Sequence, residues 1–226
     1  MKRSQINESF AWAKGLVEKH DIRLPDMAYW SMENWKARAG ELDTIRETMM
    51  GWDITDFGVG DFDTVGAVLY TVRNGSVKRP GVGVPYCEKY ILMRDGQRLP
   101  KHYHVAKTED IINRAAGVLA VKLFAVDPAT GKETGGKVAV YLDGLLKQFD
   151  SGEEILVYPG NSISLAPYIA HIFGPKAGTG DLIVGEVSKV NDDVADNYFL
   201  EKTARFADVE EDCPAQCPLC NEYDKL

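Results

Sequence analysis

Residues 96–117, GQRLPKHYHVAKTEDIINRAAG, carry two of the chain's four histidines, His102 and His104, followed by a carboxylate, Glu109. Side chains two apart on a β-strand point to the same face, so the two imidazoles aim at one point. The gap VAKT has the length of a turn, after which Glu109 opens a second strand and can reach the same point. Two imidazole nitrogens and a carboxylate oxygen suit a divalent ion, which predicts a site for Mn²⁺, Fe²⁺, Co²⁺, Ni²⁺ or Zn²⁺.

A further ligand is expected from one of the two remaining histidines, His20 and His171. His20 falls at the end of the first predicted helix, where the helix dipole accounts for it. His171 lies in APYIAHIFG, a predicted strand that an antiparallel barrel can bring back to the first pair. A lone H-x-H in a β protein is more often accidental, but H-x-H-x4-E with a later strand histidine is much rarer. We therefore predict His102, His104, Glu109 and His171 as metal ligands.

Composition bounds the class of protein. The 226 residues are 45% hydrophobic and 27% charged, with a net charge of -8, which is typical of a globular chain with a sizeable core. The sequence has no basic run of the kind that binds nucleic acid, so a neutral small substrate is favoured. No stretch approaches the roughly 20 apolar residues of a membrane helix, and MKRSQINESF lacks the apolar region of a secretory signal. We expect a cytoplasmic protein with reduced thiols.

The pattern of apolar and polar residues changes along the chain. Residues 1–50 show helical periodicity, with Ser4 and Ser31 as expected caps. Residues 52–195 consist of about eight to ten short strands separated by turn signals. RNG at 73–75 and RDG at 94–96 predict hairpins. Strands without intervening helices predict a mainly β sandwich or barrel with the N-terminal helices packed outside, followed by a tail over 196–226, all in a single domain.

The motif residues carry a family resemblance. Gly96, His102, His104, Glu109 and Gly117 resemble the first cupin motif, G-x5-H-x-H-x4-E-x6-G, with one extra residue before the last glycine. The segment YPGNSISLAPYIAHIFG matches the second cupin motif only loosely. With the tail CPAQCPLCNEY, the whole chain resembles the bacterial D-lyxose isomerase family. The resemblance implies a jelly-roll barrel, interconversion of D-lyxose with D-xylulose and of D-mannose with D-fructose, Mn²⁺ as cofactor, and a homodimer.

Aldose–ketose isomerisation through a cis-enediol needs a base beside the reacting carbons and stabilisation of the developing negative charge. We predict Glu186 in GDLIVGEVSKV as the base, sharing a face with Val184 and Ser188, with a pKa raised by apolar surroundings. Alternatively, Glu186 faces solvent between inward-pointing neighbours. Lys107 is the first candidate for a catalytic cation.

Substrate contacts are predicted at Phe173, Tyr90 and Lys101. The two aromatic residues can instead be plain core residues, and Lys101 and Lys89 are rivals of Lys107 for the catalytic role.

Other functions remain open on these residues. The same ligand set can hold Fe²⁺ in a cupin dioxygenase or belong to a non-catalytic sugar-binding cupin. The thiols of Cys213, Cys217 and Cys220 can bind zinc together with Cys87 or a partner chain, or pack as a cap against the barrel. TVGAVLYTVRNG is a candidate edge strand for dimerisation.

Overall fold

Helices occupy the N-terminal part of the chain, as the sequence predicts. The computed structural model describes residues 1–193 and 195–226. It contains α1 (Arg3–Lys19), α2 (Met32–Ala37) and α3 (Asp43–Glu47), with short 3-10 helices at Asp26–Tyr29, Ala39–Glu41 and Tyr223–Lys225. Ser31 caps α2 in a capping box with Asn34. Ser4 does not cap α1, because the helix already begins at Arg3 and the Ser4 hydroxyl instead donates to Asp212 Oδ2, 2.6 Å away.

Thirteen strands follow within the described residues. They are β1 (Gly51–Thr55), β2 (Ala67–Gly75), β3 (Gly83–Met93), β4 (His102–Tyr103), β5 (Glu109–Ala116), β6 (Leu119–Ala125), β7 (Lys137–Leu142), β8 (Leu145–Asp150), β9 (Glu154–Val157), β10 (Ser162–Leu165), β11 (Ile169–Pro175), β12 (Leu182–Lys189) and β13 (Tyr198–Phe199). The larger sheet has the order β1-β2-β3-β12-β5-β10-β7-β8, and the smaller has the order β13-β4-β11-β6-β9. Neighbouring strands in both sheets pair antiparallel, which confirms the predicted mainly β jelly-roll barrel.

Two apolar clusters hold the molecule together. One lies between the sheets, where Ile91 and Val184 of the larger sheet join Val121 and Phe173 of the smaller. The other joins the apolar stripe of α1 to the outer face of β1 and β2 and includes Phe10 and Trp52. Burial of these side chains supplies most of the driving force for folding. The helices therefore pack outside the barrel, as expected.

Three turn regions differ from the sequence-based expectation. Arg73–Gly75 belongs to β2, with Gly75 paired to Gly83, so the hairpin loop is residues 76–82. Residues 94–97 do form a turn, but it leads from β3 to the other sheet and joins no paired strands. The predicted strand APYIAHIFG begins later than expected, because residues 167–168 form a turn before β11 starts at Ile169.

The structure explains why glycine occupies two positions of the first motif. Gly96 adopts a φ of +92°, in the left-handed region that favours glycine. At Gly117 a Cβ atom would lie 2.8 Å from the carbonyl oxygen of Gly180, too close for any other residue.

The C-terminal tail folds back onto the first helix. The buried Arg3 guanidinium donates to Glu222 Oε1 at 2.6 Å and to Glu211 Oε1 at 2.7 Å. The Tyr223 ring stacks on Trp35, with 5.2 Å between ring centroids. The tail is thus part of the packed structure. None of the helices in the described chain combines the length and apolar character needed to cross a bilayer.

Candidate active site

Three histidines meet between the sheets at one end of the barrel. His102 on β4 pairs directly with His171 on β11, and their Nε2 atoms are 3.1 Å apart. His104 follows β4, and one ligand nitrogen from each of the three rings lies within 4.8 Å of the others. All three rings are buried. The alternation of β4 and the antiparallel pairing of β4 with β11 therefore bring together the three histidines that the sequence selected.

Each imidazole is oriented by a backbone carbonyl at its Nδ1 atom. These Nδ1–carbonyl distances are 2.8 Å from His102 to Pro100, 2.5 Å from His104 to Asp196 and 3.1 Å from His171 to Ile169. A carbonyl can only accept, so Nδ1 carries the proton and Nε2 keeps its lone pair free. This tautomer is the one in which Nε2 binds a metal.

Glu109 adds a carboxylate to the imidazoles. Its Oε1 atom is 3.3 Å from His171 Nε2 and 3.5 Å from His104 Nε2. Glu109 Oε1 and His104 Nε2 are both buried and have no hydrogen-bond partner, which is unusual for buried polar atoms. A cation between them would satisfy both. The donor set of three imidazoles and one carboxylate therefore fits a divalent metal ion.

His102 and His171 are held in the neutral form that metal binding requires. Burial lowers the pKa of His171 to about 4. Burial, followed by the neighbouring His171 and His104 rings, lowers the pKa of His102 well below its usual range. Protons therefore do not compete with a metal for these nitrogens near neutral pH.

Lys107 links Glu109 to Glu186. Its Nζ atom is 2.8 Å from Glu109 Oε2, 2.9 Å from Glu186 Oε1 and 3.3 Å from Asn191 Oδ1. Burial acts to lower the pKa of Lys107, but the two carboxylates outweigh burial and raise that pKa. Lys107 is therefore a buried ammonium group beside the histidine cluster.

Glu186 points into the barrel from β12. It is 4% exposed, whereas its neighbour Val187 is 37% exposed, so the alternative in which Glu186 faces solvent is wrong. Burial acts to raise the pKa of Glu186, as expected from the sequence. The charges of Lys107 and then Lys89 outweigh burial and lower that pKa. The predicted upward shift is thus wrong, because these lysines approach from other segments of the chain.

A buried ionic network extends from the Lys107–Glu186 pair, and the sequence predicts only part of it. Lys89 Nζ on β3 lies 4.0 Å from Glu186 Oε1 and 3.9 Å from Asp193 Oδ1. Arg205 donates to Asp193 Oδ1 at 2.9 Å and to Asp53 Oδ2 at 2.5 Å. Of Lys89, Asp193 and Arg205, only Lys89 was a candidate from the sequence, as a rival to Lys107 for the catalytic role. Asp193 and Arg205 lie in irregular chain, where no periodicity marks them.

The cavity at this site is small. It has a volume of about 40 Å³, space for only a few water molecules. Phe173 forms part of its wall, and its ring stacks on His171 with 6.1 Å between centroids.

Tyr90 and Lys101 lie elsewhere. Tyr90 is on the opposite face of β3 from Lys89 and packs against the helical cluster. Lys101 pairs with Glu133 at 2.7 Å and lies over the Phe124 ring. The strand alternation that directs Lys89 and His102 inward directs these two neighbours outward. The structure therefore does not bring Tyr90 and Lys101 to the predicted substrate site.

The tail cysteines do not form a metal site among the described residues, where the one group of three potential ligands is His102, His104 and His171. Burial raises the pKa of Cys217 to about 11 and that of Cys220 well above its usual value. The backbone N–H of Cys220 donates to the carbonyl of Trp52 at 2.7 Å. The side chains of Cys217 and Cys220 pack into the apolar cluster between α1 and the barrel, as the cap alternative expects.

The fold and the histidine cluster define a cupin-type barrel of the kind found in sugar isomerases. L-ribose isomerase from Cellulomonas parahominis, solved with L-ribose, superposes with a TM-score of 0.60 at 15% identity, covering 93% of this chain and 98% of that one. L-ribose isomerase from Acinetobacter sp. DL28 gives 0.61 at 14% identity with the same coverage. At these identities the likeness shows the fold alone.

The chain belongs to the D-lyxose isomerase family, whose model matches residues 1–223. Proteins named D-lyxose/D-mannose isomerase from Escherichia coli O157:H7 and Serratia proteamaculans are each 40% identical, over 99% of this chain and 98% of their own. The predicted family is confirmed, and the chain is a sugar isomerase.

The metal-free protein is expected to lose stability as the pH falls below about 6.5, the usual pKa of histidine. The unfolded chain takes up protons there, whereas the fold keeps His171 neutral down to about pH 4. Each such histidine lowers the free energy of unfolding by about 1.4 kcal/mol per pH unit in this range. Urea unfolding with EDTA between about pH 6 and about pH 5 measures the slope. His171→Gln should reduce the slope, and an unchanged slope would contradict the assignment.

Proposed function

We propose that this protein interconverts D-lyxose with D-xylulose, and D-mannose with D-fructose, in a metal-dependent aldose–ketose isomerisation. The observation that carries the proposal is the meeting of three buried imidazoles, each oriented by a backbone carbonyl, with Glu109, directly beside the Lys107–Glu186 pair. Family membership and the names of the two 40% identical relatives support these sugars.

The proposed metal ligands are His102, His104, His171 and Glu109. We propose Mn²⁺, with Co²⁺, Fe²⁺, Ni²⁺ and Zn²⁺ as alternatives, because this mixed nitrogen and oxygen donor set accepts all of them. When bound, such an ion supplies Lewis-acid polarisation of the sugar oxygens on the two reacting carbons.

Glu186 is the proposed base that moves a proton between C1 and C2 through a cis-enediol. Its carboxylate is ionised, because Lys107 and Lys89 hold its pKa down. When Lys107 donates to a sugar oxygen instead, Glu186 loses its closest cation and burial raises its basicity. Lys107 would stabilise the negative charge that develops on that oxygen. Phe173, in the cavity wall, would pack against the carbon face of the sugar.

The first test is isomerisation in D₂O. Protein stripped with EDTA is incubated with D-lyxose, with and without added Mn²⁺, and the sugar is followed by NMR. We expect D-xylulose only with the metal, with deuterium incorporated at the exchanged carbon, because an enediol route passes the proton through a side chain that exchanges with solvent. Product without deuterium would contradict the exchanging-base route while leaving the isomerase in place.

Measurements of oxygen uptake with Fe²⁺ and of sugar binding, made on the same stripped protein, separate the alternatives. Oxygen uptake with Fe²⁺ and no ketose would indicate a cupin dioxygenase. Sugar binding with no conversion of any pentose or hexose would indicate a non-catalytic sugar-binding cupin. Both outcomes would overturn the proposed reaction.

Glu186→Gln should retain the metal and lose turnover by about 10²-fold or more, because the amide cannot accept the proton. Metal content is measured by elemental analysis and activity by the D-lyxose assay. Glu88→Gln is the matched control, since Glu88 lies on the neighbouring strand but pairs with Arg73 away from the cavity. A Glu186→Gln protein with near-normal turnover would exclude Glu186 as the base.

We also infer a homodimer, as the family resemblance implies. The candidate edge strand β2 lies between β1 and β3, so that expectation is wrong. One of the two edges of the larger sheet is β8, where Leu145 and Leu146 are 64% and 59% exposed. Light scattering should give twice the chain mass, and a Leu145→Glu, Leu146→Glu variant should give a monomer, because the added charges would be buried. A monomeric parent protein would contradict the dimer, and a dimeric variant would exclude this edge.

We infer a cytoplasmic location and a single-domain organisation. All four cysteines are free thiols, which is typical of a reducing compartment. The tail and α1 share one apolar cluster with the barrel. Cell fractionation tests the location, and a single cooperative unfolding transition is expected for one domain.

A further inference from the structure

Asp196 does not line the cavity, yet it contacts the segment that joins the metal ligands His104 and Glu109. We propose that Asp196 is a positioning residue that fixes the conformation of residues 105–107, and through them the place of the Lys107 side chain and the orientation of His104. The inference rests on the proposed function for its catalytic part, and on the geometry of the loop for the rest.

The carboxylate of Asp196 accepts hydrogen bonds from three successive backbone N–H groups. Its Oδ1 atom is 2.8 Å from the nitrogen of Val105 and 3.1 Å from that of Ala106. Its Oδ2 atom is 2.9 Å from the nitrogen of Lys107. Successive N–H groups that converge in this way form a concave site for an anion, and such charge-assisted hydrogen bonds are stronger than neutral ones.

These three N–H groups have no other backbone partner in the part of the chain that the structure describes. The segment lies between β4 and β5 and therefore receives no hydrogen bonds from a sheet ladder. Without the Asp196 carboxylate, the loop would have no fixed acceptor for these donors and would adopt other conformations.

The main chain of Asp196 acts on the metal ligand itself. Its carbonyl oxygen accepts a hydrogen bond from the Nδ1–H of His104 at 2.5 Å, which sets the tautomer that leaves Nε2 free. One residue, some 90 positions away in the sequence, thus orients a predicted metal ligand and holds the backbone of the lysine that follows.

The position of Lys107 depends on this loop. Its Nζ atom contacts both Glu109 and Glu186, so a displaced backbone would lengthen both contacts. A misplacement of about 1 Å can cost a catalytic site about 10²-fold in rate. Removing the Asp196 carboxylate should therefore affect metal affinity and turnover, although Asp196 touches neither the metal ligand atoms nor the cavity.

A role limited to loop stability is the alternative, and Asp95 provides a matched control for it. The Asp95 carboxylate also clamps a distant loop through backbone N–H groups, with Oδ2 3.0 Å from the nitrogen of Gly178 and 3.3 Å from that of Gly180. Neither Asp95 nor that loop lines the cavity. Removing either carboxylate frees the backbone N–H groups of a loop, but only the loop bound by Asp196 contains Lys107.

The experiment compares Asp196→Ala, Asp196→Asn and Asp95→Ala in the full chain. Mn²⁺ affinity is measured by titration of the metal-free proteins, and kcat and KM are measured with D-lyxose. We expect Asp196→Ala to weaken Mn²⁺ binding by about tenfold and to lower kcat by about 10- to 100-fold, with KM changed by less than about threefold. Asp196→Asn should be intermediate, because it retains one acceptor oxygen. Asp95→Ala should change each quantity by less than about twofold.

The proposal is overturned if Asp196→Ala matches Asp95→Ala in both metal affinity and kcat. If Asp196→Ala does not fold, Asp196→Asn decides by the same comparison. If the parent protein converts no sugar, the proposed function fails, but the Mn²⁺ affinities of the variants still test the positioning role independently.

Discussion

Lys107 places a positive charge between two buried carboxylates, 2.8 Å from Glu109 Oε2 and 2.9 Å from Glu186 Oε1. Two like charges so close together inside a barrel would repel each other and would lack hydration, so the shared cation is what lets both remain ionised. The pairing of β5 with β12 fixes the distance. Glu109 lies opposite Ser188, and Glu186 lies two residues along on the same face. Lys107 enters from the segment between β4 and β5, so the contact with both carboxylates depends on the conformation of that segment as well as on the sheet register.

Glu109 divides the site into two electrostatic environments. Its Oε1 atom faces the imidazoles of His171 and His104, whereas its Oε2 atom faces an ammonium group. The imidazole side offers unpaired electron pairs that suit a cation. The charged side offers a carboxylate and a lysine that suit proton transfer and charge stabilisation. A sugar bound across Glu109 would meet both environments at adjacent carbons, which is what an aldose–ketose exchange requires.

The sequence was sufficient where strand alternation governs the outcome. The parity of His102 and His104, and the choice of His171 over His20, anticipated the cluster that the structure forms. Alternation grouped Glu186 with Val184 and Ser188 but left open which face of the strand points inward, and only burial in the structure decides it. The sequence was not sufficient where partners come from distant or irregular segments. The pKa of Glu186 moves opposite to the expected direction because two lysines from other segments approach it. Asp193, Asp196 and Arg205 lie where no period marks an inward face, and the edge of a sheet depends on the order of all its strands.

Arg3 is 1% exposed and pairs with Glu211 and Glu222, 208 and 219 positions further along the chain. On the ribosome, the first helix therefore emerges long before the carboxylates that neutralise its buried guanidinium. Because a buried unpaired charge is strongly destabilising, stable packing of α1 against the barrel is expected to require residues 211–222. His102 likewise meets His171, 69 positions further along the chain. Closure of the outer layer and assembly of the histidine cluster therefore both depend on contacts between segments that are translated far apart in time.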